Sequence, residues 1–219
     1  MAIRTTLDKD LDRLKDLLIE MVNLSKTAVE KSVQSLAHQN IEMAEQNIEE
    51  DQKINDIEEK INNLIIQLIA QQQPVASDLR TIIAGLKISN DIERIGDLAV
   101  NIAKSVIHIG AGPLIKPIVD IPRMADMALD MLNNVIKAYI EKDIELAITT
   151  AKADDEVDAL YGKIIKELLE LVPSKPDSFN QISQLSFVAR NLERIADHTT
   201  NMSEHIIFMV KGKNVDLNA

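Results

Sequence analysis

The segment Glu93-Arg94-Ile95-Gly96-Asp97-Leu98-Ala99-Val100-Asn101 returns one hundred residues later as Glu193-Arg194-Ile195-Ala196-Asp197-His198-Thr199-Thr200-Asn201. In both copies Glu, Asp and Asn recur every four residues, so on a helix three oxygen-bearing side chains stack along one face. Upstream lies a second oxygen pair at the same spacing, Asp51 and Asn55 in one copy, Asp154 and Asp158 in the other. If the helices carrying them pack side by side, the side chains converge into a hard-oxygen nest suited to Mg, Mn, Fe or Ca. The expectation is one metal site per copy, Asp51, Asn55, Glu93 and Asp97 in the first, Asp154, Asp158, Glu193 and Asp197 in the second.

A plainer reading competes. Acidic pairs at four-residue spacing are common here, as in the ladder Asp8, Asp12, Asp16, Glu20, and most such pairs are solvated helix faces. Arg94, Arg194 and Arg190 each precede an acid by three residues, which allows surface ion pairs of little energetic value. Recurrence at equivalent places favours the site, as does the lack of a Lys or Arg three or four residues from Asp154 and Asp158. His198 and His205 face Leu98 and Ser105 of the first copy in the alignment, so they read as solvent or core-edge histidines.

The elements that must position these acids follow from the same duplication. With a shift of 103 residues Met21 falls on Met124, Ala44 on Ala147, Asp51 on Asp154 and Ile54 on Val157, and the shift becomes one hundred after the turns at 69–77 and 172–177. Length changes belong in loops. Leu7, Leu11, Leu14, Leu17, Leu18, Met21, Leu24 and Ala28 recur at helical period, predicting a first helix up to His38. A second is predicted from the N-cap Asn40 to Pro74, and a third from Ser77 or Asp78. The second copy repeats this order from about Pro122, from the cap Asp143, and from Ser178, with Gln181 at capping-box distance. Helices of about thirty residues span ~45 Å. The fold class is therefore all-α, two tandem antiparallel three-helix bundles over residues 1–110 and 118–219, with Gly110-Ala111-Gly112-Pro113 between them.

Composition bounds the function. With 46% hydrophobic residues but only three Phe, two Tyr and no Trp, the core must be aliphatic. A net charge of −11 repels phosphate backbones, which excludes nucleic acid as a natural partner, and favours cations or basic protein surfaces. No cysteine is present, and no apolar run approaches the ~20 residues of a transmembrane helix. A cytoplasmic protein is the expectation.

Two copies, each with an acidic pair on its second helix and Glu-Arg-Ile-x-Asp-x-x-x-Asn on its third, resemble the PhoU family over nearly the whole chain. The resemblance implies spectrin-like three-helix bundles and one carboxylate-held metal cluster per repeat, with Fe, Mn, Mg or Zn as candidates. Asn55 departs from the pattern, replacing an anionic ligand by a neutral amide. The resemblance further implies a homodimer that is a negative regulator of phosphate uptake and of the Pho response. It would contact the ATPase subunit of the phosphate ABC transporter and the phosphate-sensing histidine kinase, and reach the membrane only through partners. It implies no enzyme. Two alternatives stand beside it: a metal-free helical adaptor docking basic surfaces, and a carboxylate-bridged di-metal oxidase, whose Glu-x-x-His tetrad the chain lacks.

Overall fold

The computed structural model describes residues 2–217, so residues 1, 218 and 219 of the two predicted spans lie outside it. Among the described residues every regular element is helical. Six helical segments were predicted and are present, but the second of each repeat is broken once, giving α1 (Ala2–His38), α2 (Ile41–Glu50), α3 (Gln52–Gln72), α4 (Ser77–Ile109), α5 (Asp120–Glu141), α6 (Ile144–Lys152), α7 (Asp154–Leu171) and α8 (Phe179–Lys211). The breaks fall at Asp51 and Ala153, both with α-region backbone angles, so each interrupts the hydrogen-bond ladder without a loop. Their consequence is local: Asp51 and Asp154 stand at helix N-termini, where exposed N–H groups and the helix dipole favour negative charge.

Two of the predicted caps are formed. Asn40 and Asp143 accept hydrogen bonds from the backbone N–H groups of Met43 and Leu146, each at 3.0 Å. The Ser178 capping box is not formed, because Gln181 is engaged elsewhere. Its side chain accepts from Ile115 N–H and donates to Pro113 O at 3.2 Å, while Lys175 donates to Ile115 O at 2.7 Å. The connector after α4 is thus tied down, and its Leu114, Ile115 and Ile118 pack on the core.

The most extensive helix–helix interface joins the two repeats, α4 against α8, with α1 packed on α4, α5 on α8, and α1 on α5. The α4–α8 pair is antiparallel: Arg80 Nε donates to Met209 O at 3.4 Å at one end, and Asn180 Nδ2 donates to His108 O at 3.1 Å at the other. Arg80 and Asn180 are repeat-equivalent, so the halves are related by an approximate twofold axis passing near the Glu-Arg-Ile motifs. Ile92, Ile95, Leu192 and Ile195, all fully buried, lie on the inner faces of these helices within one continuous aliphatic core. Burial of this kind contributes roughly 25 cal/mol per Å² of apolar surface.

Candidate functional site

Each repeat brings the start of its α3 or α7 helix against the middle of α4 or α8, as the acidic pattern requires. In the first repeat the approach is close at Gly96. A Cβ there would stand 2.9 Å from Ile54 Cδ1 and 3.1 Å from Asp51 Oδ1. The second repeat has Ala196 and Val157 at these positions, so the methyl gained on one helix is removed from the other. Both repeats therefore keep tight packing beside the acids.

The acids of the first repeat are largely compensated. Arg94 pairs with Glu93 at 3.4 Å and with Asp97 at 3.1 Å, and Asn55 donates its amide to Asp51 Oδ2 at 3.3 Å. Burial raises the pKa of Asp51, the negative charge of Asp97 adds to this, and Asn55 and Lys104 oppose it. Glu93 is raised by burial and by Asp97, against the pull of Arg94.

In the second repeat the same positions carry more negative charge with less relief. Asp158 replaces Asn55 and Glu204 replaces Lys104. Asp154 is buried beside the Thr200 hydroxyl, whose polarity eases its ionisation only in part. Burial first, then the charges of Asp197 and Asp158, push Asp154 up to about 7. Glu193 is raised by burial and by Asp197 and Asp158 against the pull of Arg190 and Arg194, and Asp197 by burial and by Asp158 against that of His198 and Arg194. Arg194 makes no ion pair among the described residues, unlike Arg94.

These mutual influences bring all eight predicted residues into two neighbourhoods, yet neither is a metal centre. The expectation of a metal cluster in each repeat is corrected by the geometry: among the described residues no three Asp, Glu or His side chains come together as a metal-donor group. In the first repeat Arg94 and Asn55 hold the oxygens in ion pairs and amide contacts. In the second, Asp154 is buried while Asp158 is exposed, and with Glu193 and Asp197 they form no donor group. What the neighbourhoods offer is dense, partly buried negative charge.

One constellation was missed in the sequence. Asp91 of α4 receives the Nδ1–H of His198 at 2.9 Å and faces His205 Nε2 at 3.2 Å, both from α8. Asp91 can only accept, so it fixes His198 as the Nδ1-protonated tautomer. Burial opposes its ionisation, but the two imidazoles outweigh this and hold its carboxyl below the usual range. The histidines, expected as solvent or core-edge residues, do sit at the core edge, and there they bridge the two halves. The signal was asymmetry, since the equivalents of Asp91 and His198 are Asn191 and Leu98.

Comparison with known proteins bears on the same two repeats. The PhoU domain model matches twice, over residues 18–106 and 121–206. A phosphate-specific transport system accessory protein PhoU homologue of Clostridium acetobutylicum is 38% identical over 98% of this chain and 99% of its own length. One of Aquifex aeolicus is 39% identical over 94% of each. The crystal structure of PhoU from Pseudomonas aeruginosa superimposes with a TM-score of 0.89 at 30% identity, covering 94% of this chain and 99% of that one. The phosphate transport system regulatory protein PhoU from Streptococcus pneumoniae does so with a TM-score of 0.89 at 28% identity, covering 96% and 99%. This chain belongs to the PhoU family of phosphate-transport regulatory and accessory proteins, a regulatory family and not an enzyme family.

Proposed function

We propose that this chain restrains phosphate uptake and phosphate-starvation signalling by direct contact with the ATPase subunit of a phosphate ABC transporter and with a phosphate-sensing histidine kinase. The observation that carries the reading is the second-repeat neighbourhood, where Asp158, Glu193 and Asp197 concentrate negative charge around the buried Asp154 with no ion-paired base among the described residues. A basic partner surface would neutralise charge that the fold leaves uncompensated, giving fast, salt-sensitive association. The protein works at the cytoplasmic face and meets the membrane through its partner; no helix among the described residues is long and apolar enough to cross one. Self-association as a dimer belongs to the same reading, and the exposed Phe179 and Phe187 of α8 offer apolar surface for it.

The test is binding of the purified chain to immobilised ATPase subunit and to the cytoplasmic part of the kinase from the same organism, across a salt series. The Asp158→Asn, Glu193→Gln, Asp197→Asn variant should bind at least about tenfold more weakly and with a shallower salt dependence. The first-repeat variant Glu93→Gln, Asp97→Asn should lose less. Unchanged affinity and salt dependence in both variants would remove the acidic faces from partner recognition.

A further inference from the structure

The approximate twofold axis gives the molecule two comparable ends, and among the described residues a connector fills one of them. At the filled end the ends of α1 and α4 meet the starts of α5 and α8, and the connector Gly110–Lys116 lies across them. Gln39 donates to Gly112 O there, and Gln181 binds Pro113 and Ile115 through their backbone. Leu114 and Ile115 rest on the core beneath.

At the opposite end the starts of α1 and α4 meet the ends of α5 and α8, and an open cleft of about 360 Å³ takes the place of the connector. Its walls are the repeat equivalents of the connector's seat. Lys142 stands where Gln39 does, Thr81 where Gln181 does, and Met209 where Ile109 does, so groups able to bond a peptide backbone again flank an apolar floor. At the floor Tyr139 replaces Leu36. Tyr139 is 6% exposed as a whole and forms part of the cleft lining. Gly85 lies beside it: a Cβ there would meet Leu14 Cδ2 at 3.0 Å and touch the Tyr139 hydroxyl at an ordinary 3.5 Å, and the equivalent residue in the other half is Leu185. Tyr139 lines the cleft, so its hydroxyl can donate to a backbone carbonyl of a segment bound there.

The described part of the chain's own tail, up to Leu217, does not lie there. After α8 it turns back along the helix, and Leu217 N–H donates to the Glu204 carboxylate at 2.8 Å. The rim carries Asp8, Asp12 and Asp78 against Lys15 and Lys142, a negative balance that selects a basic occupant. We infer that this cleft receives an extended segment of a partner protein, apolar with at least one Lys or Arg, bound through its backbone as the connector is bound at the other end. This surface is separate from the acidic neighbourhoods and does not rest on their role in partner docking.

The connector supplies the probe. A fluorescent ten-residue peptide of residues 110–119, Gly-Ala-Gly-Pro-Leu-Ile-Lys-Pro-Ile-Val, is titrated into the full chain by anisotropy. Saturable binding is expected, weakened about tenfold by Asp8→Asn, Asp12→Asn, Asp78→Asn together or by Glu in place of the peptide Lys. Tyr139→Phe, which leaves the packing intact, should weaken it severalfold, whereas Asp158→Asn, Glu193→Gln, Asp197→Asn should leave it unchanged. Helicity by circular dichroism checks that each variant is folded. The inference is overturned by absence of saturable binding, or by binding indifferent to the cleft variants. It is equally overturned if binding appears only after removal of residues 213–219, which makes the tail the occupant. Dissociation of an oligomer by the peptide in sedimentation overturns it in favour of a second copy.

Discussion

The first and second repeats place acids at three equivalent positions of the same two helices, with Asn55 matching Asp158 at the fourth, and their electrostatics differ. In the first, Arg94 bridges Glu93 and Asp97, Asn55 donates to Asp51, and Lys104 lies near enough to ease its ionisation. In the second, Asp158 and Glu204 occupy the places of Asn55 and Lys104, Arg194 is unpaired, and Asp154 is pushed up to about 7. Duplication preserved the scaffold, down to the exchange of Gly96 and Ile54 for Ala196 and Val157, while the compensation around it diverged. The charge available for contact therefore resides mainly in the second half.

The largest expected effect separates the halves through pH. The folded-state pKa of Asp154 lies above its unfolded value of 3.8, so the native protein binds more protons between about pH 4 and 7. Stability from this group is greatest below its unfolded pKa and declines as pH rises towards the folded one. Asp154→Asn should therefore stabilise the protein at pH 8 by on the order of 2 kcal/mol, raising Tm by roughly 4–8 °C, and give little at pH 4. The matching Asp51→Asn should give a smaller gain; equal gains would erase the contrast.

Next comes the bridge that only one half contributes. Asp91→Ala leaves His198 and His205 without their acceptor and should cost about 2 kcal/mol in urea denaturation at pH 7. Asn191→Ala, at the equivalent position, should stay within about 0.5 kcal/mol. Because the carboxyl of Asp91 is held below its usual range, its stabilisation is present above pH 3.8 and is lost as pH falls through the folded value.

The packing exchange predicts a smaller effect. Gly96→Ala brings a methyl against Ile54, and overpacking of about 1–3 kcal/mol is offset in part by the roughly 1 kcal/mol helix preference of Ala. Adding Ile54→Val recreates the second-repeat pair and should recover most of the loss. A double variant no better than the single would show that the halves pack independently of this exchange. Smallest is Asn55→Asp, which copies the second-repeat charge into the first. At this partly exposed position it should cost about 0.5 kcal/mol at pH 8, and Asp158→Asn should have the opposite sign.

Much of the fold was legible because the helical period of Leu, Ile and Val is strong and the caps Asn40 and Asp143 use the simplest of signals. The breaks at Asp51 and Ala153 were not, since no Gly or Pro marks them and both residues keep helical angles. Gln181 has capping-box spacing, but spacing does not say that a connector arriving from the other half will claim its amide. For the site, recurrence correctly grouped the acids, while their relation to metal failed on geometry: Arg94, read as a surface ion pair, takes the oxygens that a cation would need. Asp91 escaped notice because its partners come from the other repeat, and contacts across the α4–α8 interface leave no period in the chain.

The contrast between the repeats is decided by ¹³C NMR titration of the Asp carboxyl carbons in the folded protein, comparing Asp154 with Asp51. Asp154 should titrate near pH 7 and move down in Asp158→Asn, with Asp51 clearly below Asp154. Both groups titrating together near the ordinary value of 3.8 would contradict it, because the two repeats would then hold their acids in the same state.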